Sequence, residues 1–480
     1  MPAVLRELWE YGIMERTTND GNESKVISMK GTRKKGLAVL AALVLVVAAV
    51  ACGWKAGPRA EQAKSPVGEG LTGLRETTEA EPAAYAPLLS WDKDTQAVVY
   101  EIEFYSDPDA NVNHRIYHTR AVYTNHYNVP LREFAEEYLG KQPIYWRVRS
   151  IGFDGQPVSK FSKLATLYTS AREKDLDRPV VFSEYGKGNG STLLYPVYDW
   201  VGLANASGYT VELYAGTPDV AASGKLAPVA VLHSDVTEIY DRDPRIGVYS
   251  WRVRAEDAEG YPFGQWSDFH EVRAEPSDNW EVAVLGDSIS HGGGHYSFSP
   301  ADFEFSWLSY LDFPAINLSS SGDLSSMTRD RFERDVLPFH PKYLMIFTGT
   351  NSLRAGEDPE SVIDDLEAMK VLALSHGIRP IFLTLPPINP RNIEHVFDEP
   401  TTPDWQMRFD RVNSYIRDQA CIDAASAFVC PDGVLPTELA LDGLHPDVDG
   451  KRLIGEQVNK EWEKAKRDAE AQYRAYVEED

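Results

Sequence analysis

Cysteine is scarce. Cys52, Cys421 and Cys430 are the only three in 480 residues, and no Cys-x-x-Cys or Cys/His cluster stands at the spacing that zinc requires. A structural zinc site is therefore not expected. Basic charge is also in deficit: 48 Lys plus Arg face 73 Asp plus Glu, a formal net charge of −25 that repels nucleic acid and anionic lipid surfaces at long range. Nucleic acid is excluded as a partner on that ground. Long apolar runs are missing with one exception. What the chain does hold, 43% hydrophobic and 11% aromatic residues, suffices for several cores, and its length allows two to four domains.

The exception is Gly36 to Val50, preceded by Arg33, Lys34 and Lys35 and followed by Ala51-Cys52-Gly53. It falls short of the ~20 residues of a spanning helix, which favours the apolar core of an export signal over a permanent anchor, the open alternative. Small residues Ala49 and Ala51 before Cys52 resemble a bacterial lipobox, with Ala49 where Leu is usual. That resemblance implies an acylated Cys52 as first residue of an exported chain held at a membrane surface. Residues 1 to 28 fit no signal, whereas Met29-Lys30-Gly31 opens a normal one, so Met29 is read as the true start within a leader spanning 1–52. Residues 53–86, rich in Ala, Gly, Pro, Glu and Thr, are expected to form a flexible tether. Outside the cytoplasm disulfides persist. Cys421 and Cys430 are the candidate pair, closing a short loop for about 2.5 kcal/mol; two unpaired buried thiols are the alternative.

An internal repeat sets the domain count. Trp91 and Tyr100-Glu-Ile-Glu-Phe-Tyr105 correspond to Trp200 and Tyr209-Thr-Val-Glu-Leu-Tyr214. Tyr145-Trp-Arg-Val-Arg149 corresponds to Ser250-Trp-Arg-Val-Arg254, each leading to a turn, Asp154-Gly155 and Glu259-Gly260. The alternation of apolar and polar residues in these segments is that of half-buried strands. Two all-β sandwiches are expected, over 87–172 and 176–275, and they resemble fibronectin type III-like domains. Trp91, Trp146, Trp200 and Trp251 are read as core residues rather than carbohydrate platforms. Spacing the C-terminal unit from a membrane, or docking a polymer, are the roles considered.

From Trp280 the pattern changes. Val282–Leu285, Ala315–Leu318, Tyr343–Phe347 and Pro380–Leu385 read as buried strands, and Ser299-Pro300 and Asp358-Pro359-Glu360 read as helix starts, the second stopped by Gly377. Such alternation over 278–471 predicts a parallel sheet covered on both faces, with ligands beyond the carboxyl ends of its strands. The last helical stretch, Glu456 to Tyr476, is expected at the sheet edge, with pairing to another chain as the alternative.

Chemistry concentrates at those strand ends. The first strand runs into Gly286-Asp287-Ser288-Ile289-Ser290, a tight turn that exposes the Ser288 hydroxyl, with Asp287 bonding the turn's N–H groups. A serine nucleophile needs a base, and the base an orienting carboxylate; Asp442-Gly443-Leu444-His445 supplies both. Acyl transfer also needs donors where the oxyanion forms. Gly322 after the second strand and Asn351 after the third are the candidates. The pair His291 and His295, separated by three glycines, lacks a helix to present two metal ligands and is read as a flexible loop at the edge of the site.

Gly-Asp-Ser, a later Gly, Gly-x-Asn and Asp-x-x-His, in that order, resemble the four blocks of the SGNH, or GDSL, hydrolase family over residues about 280 to 470. The resemblance implies a flavodoxin-like α/β/α domain and cofactor-free ester hydrolysis, with Ser288 as nucleophile and first oxyanion donor, Gly322 and Asn351 as the other donors, and Asp442 with His445 completing the triad. The third block commonly ends in Asp, and here Ser352 stands in that place. Gly-x-Ser-x-Gly is absent because Ser290 occupies its final position, which argues against the other common serine-hydrolase architecture. The expected activity is hydrolysis of acyl esters, acetyl foremost, on a glycan. A lysophospholipase or thioesterase, and a non-catalytic glycan-binding lipoprotein, are the alternatives.

Overall fold

The computed structural model describes residues 67–479, apart from Phe153, Ser183, Glu184, Gly186, Lys187, Tyr296, Ser297 and Pro431, together with a two-residue strand pair, Met14–Glu15 with Ser28–Met29. The apolar run at Gly36–Val50 and the lipidation candidate Cys52 lie outside the described residues. Among those described, no helix is long and apolar enough to cross a membrane.

Two antiparallel β units come first. In one, β1 (Leu88–Ser90) pairs with β4 (His126–Asn128), and a four-stranded sheet has the order β3-β2-β5-β6, from β2 (Val99–Tyr105), β3 (Arg115–Val122), β5 (Ile144–Ile151) and β6 (Ala165–Leu167). The next unit repeats this plan. Strands β7 (Val197–Asp199) and β10 (Glu238–Tyr240) pair, and β9 (Ala230–Ser234), β8 (Gly208–Ala215), β11 (Gly247–Glu256) and β12 (Pro262–Phe263) lie side by side, with β13 (His270–Ala274) also on β11. Trp91 and Trp146 are buried in one core, Trp200 and Trp251 in the other.

The repeat extends to the outer faces. Arg147 and Tyr105 both donate to Glu103 Oε2, at 2.8 and 2.5 Å, as Arg252 and Tyr214 donate to Glu212 Oε2 at 3.0 and 2.7 Å. Arg147 also stacks over Phe161 at 4.1 Å, and Arg252 over Trp266 at 4.4 Å. Neither ring is among the landmarks that mark the repeat in the sequence. Each lies 14 residues past its strand arginine, and both satisfy the same need to cover a guanidinium on the sheet surface.

Part of the expected tether is structured. Gly68 exchanges hydrogen bonds with Val158 and Lys160, Ala83 does so with Tyr168 and Ser170, and Leu71 and Leu74 pack on the first β core. Polar composition suggested a free linker from 53 to 86, but these few apolar side chains and a matching strand edge order residues 67–86.

The C-terminal sheet is wholly parallel, with the order β15-β14-β16-β17-β18 formed by β14 (Val282–Gly286), β15 (Ile316–Asn317), β16 (Tyr343–Phe347), β17 (Arg379–Leu383) and β18 (Cys421–Ile422). In chain order this is 2-1-3-4-5, whose switch point lies at the first strand. Helices α2 (Ser325–Asp330), α5 (Pro359–Ser375) and α6 (Trp405–Arg417) pack in sequence, α2 on α5 and α5 on α6. The long α7 (Val448–Glu479) lies against β17, β18 and the 3-10 turn Trp307–Tyr310. Asp358 caps α5 by accepting from Glu360 N–H at 3.1 Å.

Two expectations are corrected here. No helix starts at Ser299; the segment folds into 3-10 turns at Phe303–Phe305 and Trp307–Tyr310. Its aromatic side chains are buried around the chain, so no single amphipathic face exists to lay down. Cys421 and Cys430 are free thiols, not a disulfide. Cys421 is committed to the ladder opposite Phe382, and a 3-10 turn at Ala424–Ala427 occupies the short connection to Cys430. Loop entropy favours closing so short a loop, but it cannot override this backbone path.

An irregular strand from the second β unit flanks the parallel sheet. Asn317 N–H donates to the Thr192 carbonyl at 3.0 Å, and Leu194 N–H donates to the Asn317 carbonyl at 2.9 Å, a parallel bridge on the edge strand β15.

Candidate active site

Strand β14 ends at Gly286, where only glycine fits, because a side chain there would lie 2.2 Å from the Phe347 carbonyl oxygen of β16. The chain then turns at once into the short helix α1 (Ser288–His291), capped by Asp287 Oδ1, which accepts from Ile289 N–H at 3.0 Å. Ser288 thus sits at the carboxyl end of an inner strand and at the first position of a helix. Burial lifts the Asp287 carboxyl to about 6 against the pull of that N–H, and its Oδ2 has no partner.

Ser288 and His445 meet: Ser288 Oγ lies 2.8 Å from His445 Nε2. The opposite ring nitrogen, Nδ1, lies 2.7 Å from Asp442 Oδ2. Asp442 is fully buried, and its other oxygen accepts from the N–H groups of Leu444 and His445, each at 2.8 Å. Burial pushes this carboxyl upward, but the facing imidazole and the two N–H groups outweigh it and hold it below the ordinary Asp value. An ionised Asp442 accepts a hydrogen bond from Nδ1–H, a tautomer that leaves Nε2 unprotonated and able to accept a proton from Ser288.

The loop carrying Asp442 and His445 is braced from three sides. Asn389 N–H donates to the Gly443 carbonyl at 2.8 Å, Asn392 Nδ2 to that of Leu441 at 3.1 Å, and Leu441 N–H to Asp447 Oδ2 at 2.8 Å. Beneath the turn lies a buried cation that the sequence reading missed. Lys451 donates to the Ile289 carbonyl at 2.7 Å; burial pulls its ammonium down to about 8 against the attraction of Asp442, Asp287 and Asp447.

The oxyanion candidates occupy the next two strand ends. Gly322 has φ +90° with open space where a side chain would be, and among the described residues no acceptor meets its N–H or that of Ser288. Asn351 lies in α4 (Thr350–Arg354) and donates one amide hydrogen to the Asp323 carbonyl at 3.0 Å, which leaves the second to offer. Arg354 Nε donates to its oxygen at 3.3 Å, settling which end of the amide faces which way. Ser352, at the position commonly Asp, accepts from Ser325 N–H at 3.1 Å, while the Ser325 hydroxyl donates to Asp365 at 2.7 Å. The carboxylate is present one residue further out.

Two more side chains tie these ends together. Arg331, itself buried, donates to the carbonyls of Gly286 at 2.9 Å and Leu318 at 2.5 Å, and pairs with Asp323 and Asp335. Asn317 donates to the carbonyls of Ser290 at 2.7 Å and His291 at 3.2 Å. A lone Asn in the apolar run Ala315–Leu318 was the signal available for it. Nothing in the sequence pattern marks Arg331, which sits among surface charges of similar type.

His291 and His295 do not form an open loop. Both are buried, and burial pushes each imidazole down to about 4, so both are neutral. The intervening glycines let the chain fold under Pro300 and Phe305 rather than outward.

Residues 284–453 match the model of the GDSL-like lipase/acylhydrolase family. Similar solved structures include a lipase/acylhydrolase from Enterococcus faecalis, 22% identical, covering 38% of this chain and 94% of that one with a TM-score of 0.30. A GDSL-like lipase from Bacteroides thetaiotaomicron is 20% identical over 39% of this chain and 90% of its own, with a TM-score of 0.31. A member of the lipolytic G-D-S-L family from Veillonella parvula is 16% identical over 38% and 97%, with a TM-score of 0.29. Among curated proteins no match is found.

Proposed function

We infer that the GDSL-type acylhydrolase domain formed by residues 284–453 hydrolyses carboxylic esters through Ser288, His445 and Asp442. The observation that carries this reading is the continuous line from Ser288 Oγ through the His445 ring to Asp442, with contacts of 2.8 and 2.7 Å. In the first half-reaction His445 Nε2 removes the Ser288 proton as Oγ adds to the ester carbonyl. The N–H groups of Ser288 and Gly322 and the amide of Asn351 receive the oxyanion, and the imidazolium, supported by Asp442, returns the proton to the departing alkoxide. Water then repeats the sequence on the acyl-serine, and no cofactor is required.

The substrate we propose is an acetyl ester on a glycan. Export behind the signal-like run Gly36–Val50, a lipid anchor at Cys52 and two fibronectin type III-like units ahead of the domain support an enzyme held at a cell surface and facing polymers.

Ser288→Ala should abolish hydrolysis of p-nitrophenyl acetate while the far-ultraviolet circular dichroism stays unchanged. Retained turnover would end the assignment. Acetate release from acetylated polysaccharides, set against release of long-chain acids from lysophospholipid, tests the substrate; a preference for the latter would replace the glycan reading.

A further inference from the structure

The second β unit reaches the candidate oxyanion loop. His291, at the end of the helix that begins with Ser288, places Nε2 at 2.7 Å from the Tyr195 carbonyl and Nδ1 at 2.8 Å from Ser321 Oγ. A carbonyl only accepts, so Nε2 carries the hydrogen and Nδ1 accepts from the Ser321 hydroxyl. Burial, which keeps this imidazole neutral with a pKa of about 4, preserves that arrangement at ordinary pH. Ser321 directly precedes Gly322.

Tyr195 is itself anchored on the C-terminal unit. Its hydroxyl donates to Asp335 Oδ2 at 2.5 Å, the Arg331 guanidinium lies 5.4 Å from its ring centre, and the adjoining residues 192–194 pair with the edge strand β15. Arg242, also from the second β unit, reaches the Ser321 carbonyl at 3.4 Å, and the Tyr240 ring meets the His291 ring edge-on at 6.0 Å. Ser321 is therefore approached through His291 from within the hydrolase domain and directly by Arg242 from the β unit.

We propose that the second β unit is a working part of the active site: through the Tyr195 carbonyl it fixes His291, and His291 holds Ser321 so that the Gly322 N–H faces the developing oxyanion. His291 and Ser321 are positioning residues, and neither touches the substrate. This rests on Gly322 serving as a donor for the ester hydrolysis assigned above. It goes beyond a spacer or docking role for the β units, because it makes the rate of the chemical step depend on one of them.

The test uses the whole chain. Ser321→Ala should lower kcat for p-nitrophenyl acetate roughly tenfold with KM nearly unchanged, and weaken binding of phenyl trifluoromethyl ketone, which forms a tetrahedral adduct with serine, in the same proportion. Ser321→Thr, which keeps the hydroxyl, should restore both. His291→Phe fills the buried volume without the two hydrogen bonds and should match Ser321→Ala, with little added loss in the double variant. Unchanged kcat in Ser321→Ala overturns the proposal, as do equal losses in the Ala and Thr forms. Labelling of Ser288 by a fluorophosphonate separates the two levels of failure. Labelling of wild type and Ser321→Ala at equal rates overturns the coupling alone, and no labelling of any form overturns the serine chemistry with it.

Discussion

Arg331 Nη2 donates to the carbonyl oxygen of Gly286, the last residue of the strand that delivers Ser288. The same guanidinium bonds the Leu318 carbonyl at the end of the neighbouring strand and the carboxylates of Asp323 and Asp335. One planar group thus holds the relative height of the serine turn and of the loop that carries Gly322.

A lysine cannot reproduce that fork, because its ammonium is a single point with three donors. Arg331→Lys should destabilise the fold by about 3 kcal/mol, the scale for breaking a buried charged network, as read from urea unfolding. Its kcat/KM should fall at least tenfold, since small displacements of reacting groups are costly. Wild-type values of both would show the brace to be dispensable.

Ser352 invites the reverse experiment. Ser352→Asp introduces the residue common at this position in the family the sequence resembles, but here Ser325 already donates its hydroxyl to Asp365, whose other oxygen pairs with Arg329. A second buried carboxylate beside it should lower stability by roughly 2 kcal/mol or more, with no gain in activity. Pairing the change with Asp365→Asn should recover much of the loss in thermal unfolding, which an unrelated packing defect would not.

Asp287 gives a pH signature. Its folded-state value of about 6 lies above the ordinary 3.8, so the folded chain binds the extra proton between those values. Stability from this residue is therefore present at low pH and is lost as pH rises through about 6. Asp287→Asn keeps the capping oxygen and removes the titration. Relative to wild type it should gain about 3 kcal/mol of unfolding free energy between pH 3.5 and pH 7. Neutral His291 and His295 act with the opposite sign between about 4 and 6.5, and they cancel in the comparison because both forms contain them. A flat difference across the range would refute the burial argument.

Much of the site was legible because its parts lie at strand ends, and strands buried on both faces stand out as apolar runs. Tyr343–Phe347 has the same limits in sequence and structure, and the turn at Gly286–Ser288 follows from its residues. The three-residue spacing of Asp442 and His445 corresponds to a contact of 2.7 Å, a local geometry that a tight loop dictates. What escaped depends on tertiary packing. The two-residue strand Cys421–Ile422 carries too little pattern to register, and the ordering of residues 67–86 requires a partner edge distant in sequence. His291 illustrates the same limit: three following glycines suggest exposure, whereas Pro300 and Phe305, later in the chain, close on those glycines and Tyr240 of the preceding β unit meets the His291 ring. Arg331 and Lys451 look like any surface cations until the carbonyls they serve are brought to them.

The pairing of residues 192–194 with Ile316–Asn317 also bears on how the sheet avoids association. An open parallel sheet ends in a row of amides ready to recruit another chain, and here that row is occupied from within. A shortened chain starting near residue 278 would bare it and would be prone to stick to its own copies, so the practical unit for expression reaches back through the β unit that supplies the cover.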